Sequence, residues 1–254
     1  MSSFTMIAED IISFGDVAVV IDAPGNYARY KDSDHVLYMH KSVGQVNAYI
    51  SLARDLERSG RRMRDCLEIG VFRGGSAVFL HELFGLSRLV CIEKYSRPIP
   101  LLEAFAATHP TLRAFYGVDQ ADAGRLRQII LEQFPDGLDL VIDDASHLYE
   151  ESRISFETAF PFLRPGGLYI IEDWPWAHQP DAQEPQHYLA HAVALTNLIF
   201  ELTVAFAVDH GVFSRIVHTL GFTWIERGSR NLPQDGSFRV DDYLLTRGRP
   251  LVKI

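Results

Sequence analysis

Four short segments, in a fixed order, each run an apolar stretch into glycine or acidic residues. Leu67-Glu68-Ile69-Gly70-Val71-Phe72-Arg73-Gly74-Gly75-Ser76 is the first, and Cys91-Ile92-Glu93-Lys94 the second. Leu138-Asp139-Leu140-Val141-Ile142-Asp143-Asp144-Ala145-Ser146-His147 and Pro165-Gly166-Gly167-Leu168-Tyr169-Ile170-Ile171-Glu172-Asp173 follow. Apolar runs of this length bounded by turn signals read as buried strands. Helical stretches separate them, and such alternation implies parallel βαβ units in an α/β fold. In an open sheet of that kind the ligand crevice lies at the carboxyl ends of the strands. Four strands therefore deliver a glycine turn and several carboxylates to one rim. That suits a cationic nucleoside cofactor and a divalent metal.

Composition narrows the partners. A net charge of −9 on 254 residues argues against nucleic acid, whose binding is dominated by Lys and Arg on phosphates. Cys66 and Cys91 each open an apolar run and read as small core residues of a reducing compartment. Residues 1–10 lack the basic and apolar regions of a signal peptide. The longest apolar stretch, Ala190–Val208, is interrupted by Asn197 and Glu201, so no membrane span is expected. The expectation is a cytoplasmic protein with a small-molecule substrate, and an even-numbered homo-oligomer is the default assembly.

Residues 1–42 read as an N-terminal extension, a lid or an oligomer arm, before a domain over 43–254. Within the extension Asp16–Ile21 reads as a short strand. Helices are expected over Val43–Ser59, Ser76–Phe84, Pro100–Thr108, Ala121–Phe134, Tyr149–Phe162 and His187–Phe206. Strands are expected over Asp65–Gly70, Arg88–Ile92, Ala114–Val118, Leu138–Ile142 and Gly167–Ile171. Phe213–His218 and Phe222–Glu226 read as a closing hairpin around Gly221, and Phe238–Leu245 as an edge strand or a tail. Trp174–Pro185 reads as a loop over the crevice.

Gly70 lets the chain turn sharply, and Gly74 and Gly75 let backbone approach a ligand at a helix start. The spacing is not the dinucleotide fingerprint, because position 72 is Phe; this disfavours an NAD dehydrogenase. Glu93 ends the next strand, where an acid can accept both hydroxyls of a ribose. Glu68–Ser76, Glu93 and Asp139–Asp144 together resemble the class I S-adenosylmethionine-dependent methyltransferases. The resemblance covers roughly residues 43–228. It implies a Rossmann-like, seven-stranded, mostly parallel sheet with an antiparallel closing hairpin. It further implies cofactor contacts from Glu68, Gly70, Phe72, Gly74 and Ser76 around the methionine part and from Glu93 at the ribose. Asp119 or Gln120 would meet the adenine; their other reading is a turn and helix cap. Asp143 reads as support for the cofactor's amino group or for its own loop.

Neighbouring strands four and five bring Asp144, Glu172 and Asp173 together. Close carboxylates raise each other's pKa unless a cation sits among them, and an oxygen-only set suits Mg²⁺ or Mn²⁺. The other reading is a hydrogen-bonded carboxylate cluster. His147, three residues after Asp144, can serve as general base. Asp-Asp-x-Ser-His followed by Ile-Glu-Asp resembles the metal-dependent macrolide sugar O-methyltransferases and the related cephalosporin hydroxylase group. That resemblance implies metal ligation by Asp144, Glu172 and Asp173, with His147 as base and Asp144 beside it in the catalytic set. Trp174, Trp176, His178 and Tyr30 are the candidate substrate contacts. Trp174-Pro175-Trp176-Ala177-His178 is bulkier than that group's pattern. The alternatives are a metal-independent N- or C-methyltransferase, an iron-dependent hydroxylase-like enzyme, and a non-catalytic subunit on the same fold.

Overall fold

A computed structural model describes residues 4–219 and 221–254. Seven strands form one sheet, and four N-terminal strands form a second. The chain divides into two compact units, one ending at Val118 and the other beginning at Asp119.

In the first unit, β1 (Thr5–Ala8), β2 (Ile11–Phe14) and β3 (Val17–Asp22) form an antiparallel meander. A short helix, α1 (Asn26–Tyr30), follows, and β4 (Tyr38–Ser42) returns parallel to β3. Residues 4–42 thus hold four strands and a short helix, where the sequence suggested one short strand. Ser42 caps α2 (Val43–Arg58): its hydroxyl accepts from the Gln45 amide, and the Gln45 side chain accepts from the Ser42 amide. This reciprocal box satisfies two donors that a helix start leaves open. β5 (Asp65–Ile69), β6 (Arg88–Glu93) and β7 (Leu112–Tyr116) are parallel neighbours. The helices α3 (Gly75–Phe84) and α4 (Pro100–Thr108) connect them. Pro100 sits in the first turn of α4, where its missing N–H costs nothing.

In the second unit, α5 (Ala123–Gln133) leads into β8 (Leu138–Asp143), which pairs parallel with β9 (Leu163–Glu172) across α6 (Tyr149–Ala159). Leu140, Val141 and Ile142 of β8 and Leu168 through Ile171 of β9 are fully buried, the continuous apolar pattern of strands covered on both faces. After α7 (Thr196–Val208), β10 (Phe213–His218) and β11 (Phe222–Arg227) close the sheet as an antiparallel pair, with β11 antiparallel to β9. The seven strands, their parallel centre and the closing hairpin are as the sequence implied.

Two segments differ from expectation. The α7 helix starts at Thr196, not His187, because Ala194 bridges Leu148 and its amide donates to the Ile254 carbonyl. Tertiary pairing there overrides helix propensity. Phe238–Leu245 holds a single 3₁₀ turn at Val240–Tyr243 and no strand. Among the described residues no helix is long and apolar enough to cross a membrane.

Candidate active site

The glycine turn after β5 is held by Glu93. One oxygen of its carboxylate accepts the backbone N–H of Val71 and of Phe72, each at 3.2 Å, and the other accepts the Tyr95 amide at 3.0 Å. Glu93 is 8% exposed and lines a cavity of about 360 Å³ together with Tyr27, Phe72, Tyr95 and Ile99. Each carboxylate oxygen accepts about two hydrogen bonds, so the oxygen facing Tyr95 keeps capacity for a ligand hydroxyl. Gly70 (φ 86°) and Phe72 (φ 48°) both have left-handed backbone. For a bulky residue such as Phe that is a strained state costing roughly 1–3 kcal/mol. The paired amides on Glu93 hold it there.

The glycines that follow serve packing. A Cβ on Gly75 would lie 2.5 Å from the Tyr38 carbonyl carbon and 2.7 Å from the Met39 nitrogen, and one on Gly74 would meet the Leu102 Cβ at 3.0 Å. β4 lies directly on the turn, with a parallel bridge between Tyr38 and Gly74. The close approach at this turn, read from sequence as room for a ligand, is the approach of the N-terminal sheet. Ser76 is buried within α3. Glu68 is fully buried mid-strand, and the Cys91 thiol donates to it at 3.5 Å. Burial, and then the neighbouring Glu68, push the Cys91 thiol well above its ordinary pKa. Cys66 and Cys91 are both free and buried. Neither should be alkylated by iodoacetamide in the folded protein at pH 8, and both should react after unfolding in urea. Labelling of either in the native state would show that this strand pair opens.

In the second unit, three sequence-predicted residues come together. Ligand atoms of Asp144, His147 and Asp173 all lie within 4.8 Å of one another, and all three residues are partly exposed. The His147 Nε2 is 3.8 Å from Asp144 and 3.9 Å from Asp173. Glu172 is outside this group; its side chain is 1% exposed. His147 (φ 56°) and Asp173 (φ 49°) also have left-handed backbone. With Phe72 they make three of the four such non-glycine residues described.

The loop that carries His147 is braced from inside. Asp143, at the end of β8, accepts from Gln120 at 3.0 Å, Tyr169 at 2.9 Å and Ser155 at 2.5 Å. Burial pushes its carboxyl up to about 6, against the pull of the Ser155 and Tyr169 hydroxyls. Gln120, 4% exposed, also accepts the Ser146 amide at 2.9 Å. Asp143 and Gln120 thus support the loop, one of the two roles left open for Asp143. Asp119 accepts the Ala121 amide at 2.9 Å in the turn before α5, and Asp122 caps that helix. The Trp176 indole N–H donates to the His147 carbonyl at 2.8 Å, so this tryptophan positions the histidine. The His178 imidazole meets the Thr196 hydroxyl at 2.8 Å, and that hydroxyl donates to the Trp174 carbonyl at 3.0 Å. Trp174, Trp176 and His178 therefore hold the loop together. Tyr30 packs against Tyr38, with ring centroids 6.0 Å apart. Tyr27, which sequence reasoning passed over, lines the cavity instead.

The fold is Rossmann-like, as in the methyltransferases, and residues 67–174 match a family model described as a methyltransferase domain. The chain is 48% identical over 62 residues to demethylmacrocin O-methyltransferase of Streptomyces fradiae, a stretch covering 24% of this chain and 15% of that one. It is 47% identical over 72 residues to mycinamicin VI 2''-O-methyltransferase of Micromonospora griseorubida, covering 26% and 18%. Among solved structures it resembles the MycE methyltransferase from the mycinamycin biosynthetic pathway in complex with Mg, SAH and mycinamycin VI. That likeness has a TM-score of 0.55 and 27% identity, over 74% of this chain and 51% of MycE. The match thus spans about half the length of MycE and less than a fifth of either curated relative.

Proposed function

We propose that this chain is an S-adenosylmethionine-dependent O-methyltransferase, assisted by Mg²⁺, that acts on a hydroxyl of a small sugar-bearing natural product. The convergence of Asp144, His147 and Asp173 carries the reading. Two carboxylates, reachable from solvent and with an imidazole within 4.8 Å of both, offer the oxygen donors that fit a hard divalent cation and a base beside it. Supporting it are the methyltransferase-domain match and relatives named as O-methyltransferases, one of them solved with Mg and SAH.

In this reading Asp144 and Asp173 hold the metal, and buried Glu172 anchors the strand tip beneath them. A divalent cation there supplies charge that lowers the pKa of an acceptor hydroxyl. His147 takes the hydroxyl proton at Nε2, the nitrogen that faces both carboxylates. Trp176 fixes the backbone from which the imidazole projects. Glu93 binds the ribose through the oxygen beside Tyr95, and the Val71 and Phe72 amides keep that carboxylate oriented. S-adenosylmethionine supplies the electrophilic methyl group. The part of the N-terminal extension from Tyr27 to Asp34 covers the nucleoside pocket.

Thermal unfolding of metal-stripped protein tests the reading. A ligand at a hundred times its Kd adds about 2.7 kcal/mol to a fold that alone binds it. S-adenosylhomocysteine should raise the midpoint, and Mg²⁺ should raise it further. A shift with the nucleoside alone, together with turnover that survives chelation, would favour a metal-independent N- or C-methyltransferase. No shift at millimolar nucleoside would overturn the cofactor assignment.

A further inference from the structure

The segment from Tyr27 to Asp34 forms one wall of the nucleoside cavity, contributing Tyr27, Lys31, Asp32 and Asp34. Its two ends are fixed. Upstream, Asn26 donates to the Ile21 carbonyl and to Asp10, each at 2.9 Å. Downstream, Tyr38 is fully buried in β4, and its hydroxyl donates to Asp22 at 2.6 Å. Between those anchors the segment is tied to the sheet loops mainly by charge. Asp34 takes the Arg97 guanidinium at 2.5 Å on one oxygen and the Arg73 guanidinium at 3.6 Å on the other. Arg73 also reaches Asp32 at 3.6 Å and donates to the Lys31 carbonyl. Two ring contacts add to these: Tyr27 stacks on Phe72 with ring planes 13° apart, and Tyr30 packs against Tyr38 of β4.

Arg73 belongs to the glycine turn, and Arg97 to the loop that follows β6. A single carboxylate therefore clasps both loops that frame the cavity mouth. We propose that Tyr27–Asp34 is a strap over the nucleoside pocket, and that Asp34, by engaging Arg97 and Arg73 together, sets the rate at which the nucleoside leaves. The proposal rests on the cofactor reading above. An exposed ion pair contributes little to global stability, and Arg97 is 77% exposed. The same pair acts on release because the wall must swing away before a ligand behind it can exit. Exposure also makes the clasp sensitive to salt, which screens exposed charges over about 10 Å at 0.1 M.

The test is release of S-adenosylhomocysteine, followed by stopped-flow displacement between low and high NaCl. Wild type should release several-fold faster at high salt. Asp34→Asn should release about tenfold faster at low salt, lose most of the salt dependence and keep an association rate within about threefold. Arg97→Gln, a change at an exposed side chain, should shift release in the same direction and stands in should Asp34→Asn fail to fold. A folded Asp34→Asn protein that binds the nucleoside but releases it at the wild-type rate, with the wild-type salt dependence, overturns the strap and leaves the cofactor reading intact. Absence of binding to wild type overturns both.

Discussion

Gly75→Ala is expected to destabilise the protein by about 2–4 kcal/mol, the range of a forced clash in a packed interior. The added methyl would sit 2.5 Å from the carbonyl carbon of Tyr38 and 2.7 Å from the nitrogen of Met39. Both are backbone atoms, so no rotamer change relieves the overlap. Either α3 tilts or β4 lifts from the turn. Lifting β4 breaks the Tyr38–Gly74 bridge and moves Tyr38 away from the Phe72 ring, which it meets edge-on at 6.0 Å. Nucleoside affinity should therefore fall along with stability. Urea unfolding checks the first effect and calorimetric titration of S-adenosylhomocysteine the second. A loss under about 0.5 kcal/mol, with affinity unchanged, would show that β4 does not rest on this glycine.

The second large effect concerns the acidic cluster. Asp144→Ala should abolish high-affinity metal binding and lower turnover by about 10³-fold or more, because the remaining donors no longer enclose a cation. His147→Ala should lower turnover by about 10²–10⁴-fold, the usual worth of a positioned base, with cofactor affinity close to wild type. Metal content separates its two possible duties. Its Nε2 stands nearly equidistant from Asp144 and Asp173, a position suited both to a base beside the metal and to a ligand. Retention of metal in His147→Ala assigns it as the base. Loss of metal in parallel with that of Asp144→Ala makes it a ligand and leaves proton removal to another group. Asp173→Asn is the better-behaved partner variant, since asparagine tolerates the left-handed backbone at that position (φ 49°).

Much of this was legible in sequence where one physical rule dominates. Buried parallel strands are near-continuous apolar runs, so β5, β6, β8 and β9 could be placed to within a few residues. β7 was displaced by two residues, because its extent is set by pairing with β6, from Leu89 opposite Leu112 to Glu93 opposite Tyr116. The four N-terminal strands are short, and β1 is exposed throughout, so no alternation marks it. Asp144, His147 and Asp173 were found because they follow strand tips at fixed spacing. Asp34, Arg73 and Arg97 carried no signal, since their meeting depends on where an unreadable extension folds. Glu93 was found, but its grip on the Val71 and Phe72 amides was not. That grip follows from the sharpness of the turn.

Glu93 occupies its own pocket in a way that changes how a knock-out there must be interpreted. Its carboxylate carries three backbone donors. A substitution intended to remove a ribose contact would first release the turn that presents Phe72 and Arg73. Weak binding by such a variant would then report a collapsed receptor as readily as a missing handshake, so the acid on which the proposed cofactor site turns is the poorest place to probe it.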